Sequence, residues 1–191
     1  MNSNQVISLE ELKEYLGWKR DDTSKDIFFD SIIDAVSQLM EDYCNTKLRE
    51  SAVTEILSGS GTNLLILSNR HVTSLSSLKV RDGAEFKDCF TTPEEMSQVI
   101  LYRGKFLYMC RGCFEEGVLN YQASYVCGFS EIPADLKLVA EEMCALVYQN
   151  SLHGEGRLGL LANRPGSIRM FFLEELPRHR AVLVKYMNVK V

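Results

Sequence analysis

Hydrophobic positions fall into three regimes along the chain. Ser8 followed three residues later by Glu11 has the capping-box pattern, and Leu9, Leu12 and Leu16 then recur at helical spacing until Gly17. Lys19 to Lys25 is a polar turn. From Asp26 the apolar residues Phe28, Ile32, Val36, Leu39 and Tyr43 step by three or four, which predicts one buried stripe on a second helix ending near Cys44 to Lys47. After Leu48 the pattern changes to short extended runs: AVTEIL, the wholly apolar LLIL at 64–67, and LKV before the turn Arg81-Asp82-Gly83. QVILY and KFLYM flank Arg103-Gly104 and read as a hairpin, and Leu119, Tyr121, Ala123, Tyr125 and Cys127 alternate with more polar neighbours along a long strand. In the third regime Pro133 opens a helix whose buried face carries Leu136, Ala140, Met143 and Val147. A Gly/Arg segment without period follows, HGEGRLGLLANRPGSIRMFF, and Pro177 opens a last helix with Leu183, Val184 and Met187 on one face and bases on the other.

This order predicts an α+β chain: a small bundle of about four helices with a β-rich central insert of antiparallel strands. The expected organisation is a single domain over 1–191, made of a helical pair 8–47, the insert 48–128, a helix 133–151, a flexible loop 153–170 and a C-terminal helix 177–187. A chain of 191 residues buries enough surface to need no disulfide scaffold. The six cysteines are scattered rather than framed, as expected of small buried hydrophobes in a reducing cytosol. No run approaches about 18 consecutive apolar residues, and the N-terminus lacks a basic region followed by an apolar one. Neither membrane spanning nor export is expected.

Net charge is -5, but residues 1–50 hold 6 Lys and Arg against 11 Asp and Glu, while residues 153–191 hold 7 against 3. Opposite ends suit either a basic tail for nucleic acid or two surfaces that attract each other between copies. Candidate chemistry is thin. Gly154-Glu-Gly-Arg-Leu-Gly159 matches a dinucleotide fingerprint literally but follows a helix instead of a strand, so no cofactor is expected. Cys110-Arg-Gly-Cys113 is half of a zinc site with no second pair, and His71, His153 and His179 are isolated, so no metal is expected. No nucleophile elbow is present, and the paired acids Glu115-Glu116, Glu141-Glu142 and Glu174-Glu175 read as solvated; no catalytic residue emerges. The basic residues Arg157, Arg164, Arg169, Arg178, Arg180 and Lys185 read as a protein-facing surface, because the whole chain is acidic and few aromatics interleave them.

Three blocks carry a family resemblance: ISLEELKEYL with the helix through MEDYCNTKL; Gly117, Asn120, Tyr125, Gly128, Ile132, Pro133, Asp135 and Leu136 at a strand-to-helix junction; and Leu176-Pro177 opening a helix that ends near Tyr186. In this order they resemble the head-tail connector (adaptor, or head completion) proteins of long-tailed double-stranded DNA phages and prophages. Cys127 and the long β-rich middle depart from the family's commonest pattern. The resemblance implies a non-enzymatic ring of about twelve copies, docked beneath the portal protein and offering a platform to the next head-completion protein or the tail. It also implies a place in the virion, reached from the host cytoplasm during assembly, with DNA passing through the channel without sequence-specific binding. The six basic residues then become candidates for the subunit or portal interface. Two other classes stay open: a small regulatory nucleic-acid binder using the basic C-terminal helix, and an enzyme with an unrecognised site.

Overall fold

A computed structural model describes residues 5–90, 97–152 and 177–188. The chain forms two compact units, one from residues 1–45 and 131–191 and the other from 46–130. The second is inserted in the first, as expected of an α+β chain with a β-rich centre.

In the discontinuous unit the described helices are α1 (Leu9–Tyr15), α2 (Asp26–Cys44), α3 (Ala134–Leu152) and α4 (Pro177–Tyr186). The capping box on α1 is complete: the Glu11 N–H donates to Ser8 Oγ at 3.2 Å, and the Ser8 N–H donates to Glu11 Oε2 at 2.7 Å. Lys13, almost fully buried, pairs with Asp26 at 2.5 Å and donates to the Asp22 carbonyl, fixing the turn between α1 and α2. The buried stripe of α2 is rotated from the one its sequence suggests. Phe29, Ile33, Val36, Met40 and Cys44 face inward with Ile32, whereas Phe28 is 40% exposed. Both ridges are apolar, and packing decides between them: Phe29 meets Trp18 and Tyr148 edge-on at 5.7 and 5.3 Å. The thiols of Cys44 and Cys144 are pushed up to about 12 by burial and, secondarily, by Glu41 and Glu141 respectively.

The inserted unit holds two antiparallel sheets. One has the order β1-β7-β3-β4, from β1 (Ser51–Gly59), β7 (Gly117–Cys127), β3 (Val72–Asp82) and β4 (Glu85–Asp88); the other has the order β2-β6-β5, from β2 (Leu64–Ile66), β6 (Phe106–Met109) and β5 (Val99–Tyr102). Leu65, Leu67 and Leu107 join Val72, Leu78, Phe114, Tyr121, Ala123, Tyr125 and Cys127 in one core. The Arg103-Gly104 hairpin is present, with positive φ at both central residues as a tight turn of that hand requires. Leu119 departs from the expected inward set. Between the pairs Leu57↔Tyr121 and Gly59↔Gly117, β7 carries two more residues than β1, and the bulge turns Val118 and Leu119 outward, Leu119 with φ 51°. Asn120 braces it, accepting from the Gly59 N–H and donating to the Glu115 carbonyl.

The entry and exit of this unit are stitched together. Phe129 N–H donates to the Leu48 carbonyl at 2.8 Å, and Glu50 N–H to the Phe129 carbonyl at 3.1 Å, forming a parallel bridge at Arg49 and Phe129. Gly128 makes the approach possible: its φ is 95°, and a Cβ there would sit 2.3 Å from the Arg49 carbonyl oxygen. Gly128→Ala is therefore expected to destabilise the chain by about 2 kcal/mol or more, read as a lower denaturation midpoint at unchanged slope. A loss below about 0.5 kcal/mol would show that the stitch is pliable.

Candidate functional site

The basic C-terminal helix is held by its own chain. At the start of α4, Arg178 Nη2 and His179 Nε2 each lie 2.5 Å from one oxygen of the Glu142 carboxylate on α3. At its end, Lys185 lies 3.5 Å from Asp135, and the Tyr186 hydroxyl donates to Asp135 Oδ1 at 2.7 Å. The helix thus runs antiparallel to α3, bonded at both ends. Just beyond it, the Asn188 N–H donates to the Cys44 carbonyl at 2.7 Å and its side chain to the Asn45 carbonyl, closing the C-terminus of α2.

Of the six basic candidates, Arg178 and Lys185 are therefore engaged with acids of α3, and Arg180 is exposed and, among the described residues, in no ion pair. Arg157, Arg164 and Arg169 lie outside the described residues, as do the loop expected over 153–170 and the Gly154–Gly159 run. Glu141 and Glu142 are not the solvated pair they appear to be in sequence. Glu142 is 14% exposed and bridges two bases. Burial, and then the Glu11 carboxylate, hold Glu141 above the ordinary range. Burial also pushes Glu11 upward but is outweighed by the Lys137 ammonium and the Ser8 donors, so its carboxyl stays below the ordinary value. Cys110 and Cys113 are exposed thiols, not buried hydrophobes, and among the described residues no group of three His, Cys, Asp or Glu is placed to hold a metal.

A second surface escaped the sequence reading. The registers Leu64↔Tyr108, Ile66↔Phe106, Ile100↔Tyr108 and Tyr102↔Phe106 put six apolar side chains in two rows of three on one face of the β2-β6-β5 sheet. The opposite face, with Leu65 and Leu107 at its centre, is in the core. On the outward face Ile100 and Tyr102 are half-exposed, and Leu64, Ile66 and Tyr108 nearly so. The Arg103 guanidinium lies 5.1 Å from the Tyr102 ring, at the hairpin rim. The signal was present in LLI, VILY and FLYM: runs without polar alternation belong to strands covered on both faces. In β1 and β7, whose outward positions include Thr54, Ser58, Gln122 and Ser124, the alternation is visible.

The head completion protein family model matches residues 5–149. No curated protein matches the chain. Among solved structures, a chain in the neck of an empty gene transfer agent particle computed with C6 symmetry superposes with TM-score 0.65 at 14% identity, over 97% of this chain and 91% of that one. One from the virion of the native gene transfer agent particle gives 0.64 at 16%, with the same coverage. A third, from the native neck computed with C12 symmetry, gives 0.56 at 16%, over 100% and 97%. At such identities the likeness is one of fold.

Two expectations follow from the α3–α4 pairing. Glu142→Gln leaves two bases facing a neutral amide, one of them the buried His179, so α4 should loosen: amides of 178–186 should exchange at least tenfold faster while α2 is little changed. Equal exchange in both proteins would mean that apolar packing alone holds α4. The Tyr186 hydroxyl, raised by burial and then by its bond to Asp135 from 10.0 to about 12, contributes stability that is complete below pH 10 and lost as pH rises towards 12. Tyr186→Phe should remove that alkaline step from a stability-against-pH curve.

Proposed function

The chain belongs to the head completion protein family, and from that premise we propose that it is a structural subunit of the junction between a DNA-filled phage-type head and its tail. The family match over residues 5–149 carries this reading. Copies associate into a ring of about twelve on the portal vertex, extending the DNA channel and presenting a platform to the next completion protein or the tail. Both units of the chain serve as one connector subunit, which ends in the virion after assembly in the host cytoplasm. Its role is mechanical and not catalytic.

The physical chemistry is consistent with this. A ring joins unlike faces of successive copies, and the opposed charge of the chain's ends suits such a contact. An overall charge of -5 suits a conduit past which a phosphate backbone slides without being held. A DNA-binding role for α4 is less well supported, because Glu142 and Asp135 already engage Arg178 and Lys185. Arg180 is the exposed base of α4 left for a subunit or portal contact, with Arg157, Arg164 and Arg169 of the preceding segment and Arg178 and Lys185 beside it.

Deletion of the gene in a particle-producing strain should leave DNA-filled heads without tails in electron micrographs, and the gene supplied in trans should restore tailed particles. Tailed, DNA-filled particles from the deletion strain would end the reading. Arg180→Glu, which breaks no ion pair among the described residues, should weaken self-association several-fold at low ionic strength. At about 0.5 M salt, where exposed charges are screened, the difference from the parent should shrink. Identical assembly by both proteins at low salt would remove Arg180 from the interface.

A further inference from the structure

We infer that the outward face of the β2-β6-β5 sheet is where one copy of this chain meets another. The inference rests on the proposed ring and identifies one of the two unlike faces by which its subunits join. Leu64, Ile66, Phe106, Tyr108, Ile100 and Tyr102 form a two-by-three grid with no charged or strongly polar side chain within it. The five that are 38–50% exposed leave on the order of 400 Å² of apolar surface in water, within the range of the largest apolar patch on a soluble chain, where such patches are often functional. That is about half of one side of a standard interface, and it has the composition of an interface core: aromatic and aliphatic, with a single arginine at its rim.

The sequence itself asks for a second cover. The outward positions of β1 mix Thr54 and Ser58 with Ala52 and Ile56, but β2, β5 and β6 are apolar at every successive position. One side of the small sheet meets Leu65 and Leu107 in the core; the other has no counterpart among the described residues of its own unit. The occupant must also be present early. An apolar face bare from the moment the chain folds is open to whatever apolar surface it meets first, and the protein always available at that moment is another copy. A partner met only on the finished head would leave the face bare throughout synthesis. Charge agrees: the grid offers nothing to steer a foreign partner, whereas a lasting contact between copies relies on packing.

The test uses the full-length protein. Sedimentation of the parent from about 1 to 500 µM should show reversible self-association, and the double variant Ile100→Lys, Tyr108→Glu should weaken it at least 100-fold. The two positions face each other across β5 and β6, so opposite charges there do not repel, and far-UV circular dichroism and the unfolding midpoint of the variant should stay close to the parent's. Val118→Glu, at a residue 83% exposed on the β7 bulge, should associate like the parent. In parallel, a photo-crosslinking amino acid at position 100 in particle-producing cells should trap a product containing two copies of this chain. A parent that stays monomeric throughout, a double variant that associates like the parent, or a crosslink only to the portal or another protein would each overturn the inference.

These outcomes separate the two proposals. If gene deletion abolishes tail joining but the double variant still assembles and restores it, the interface is wrong and the functional reading stands. If the interface maps to the grid yet deletion leaves tailed particles, the functional reading fails alone.

Discussion

The fold depends on a backbone contact a few residues long. Residues 46–130 leave and rejoin a helical unit whose two halves are distant in sequence. That arrangement is cheap only if the departing and returning strands lie side by side. The stitch at Leu48, Glu50 and Phe129, with Gly128 against the Arg49 carbonyl, provides this closure. A long loop costs little more to close than a short one, and antiparallel pairing of β1 with β7 then continues the closure along both strands. Leu48 is fully buried at the start of the stitch, and Cys127, one residue before Gly128, is buried at its end.

Charge and apolar surface are used differently in the two units. On α4 most of the polar groups that looked available to a partner are engaged internally, Arg178 and His179 with Glu142, and Lys185 and Tyr186 with Asp135, leaving Arg180 exposed. Their work is to orient a short helix that a ten-residue sequence would not form by itself. On the small sheet the reverse holds, because the apolar side chains exceed what one core can cover. Electrostatics therefore shape the discontinuous unit from within, while the inserted unit keeps an excess of hydrophobic surface outside.

Much of the fold was legible because it rests on local rules. The Ser8–Glu11 box, the Arg103-Gly104 turn and the proline openings of α3 and α4 each depend on a few neighbouring residues. What was missed depends on residues far apart. The α2 stripe could not be phased while Phe28 and Phe29 were equally plausible, and only Trp18 and Tyr148 choose between them. The first half of β3 was invisible because register shifts between Val72 and Ser74 and between Leu75 and Ser77 space Val72, Leu75 and Leu78 by three, which is not a strand period. Asn188 gave no hint that it closes α2, nor Glu142 that it would be a nearly buried bridge. The apolar sheet face was visible as unbroken runs, but whether such a run is covered twice by its own chain or once is a tertiary question.

The stitched entry has a consequence for how the chain can vary. Because the strands that begin and end the inserted unit lie side by side at the stitch, the insert behaves as a cassette. The helical frame holds its caps, ion pairs and aromatic cluster among its own residues. An insert closed at its own base in this way can change length and outward chemistry without moving the two points at which the chain enters and leaves it.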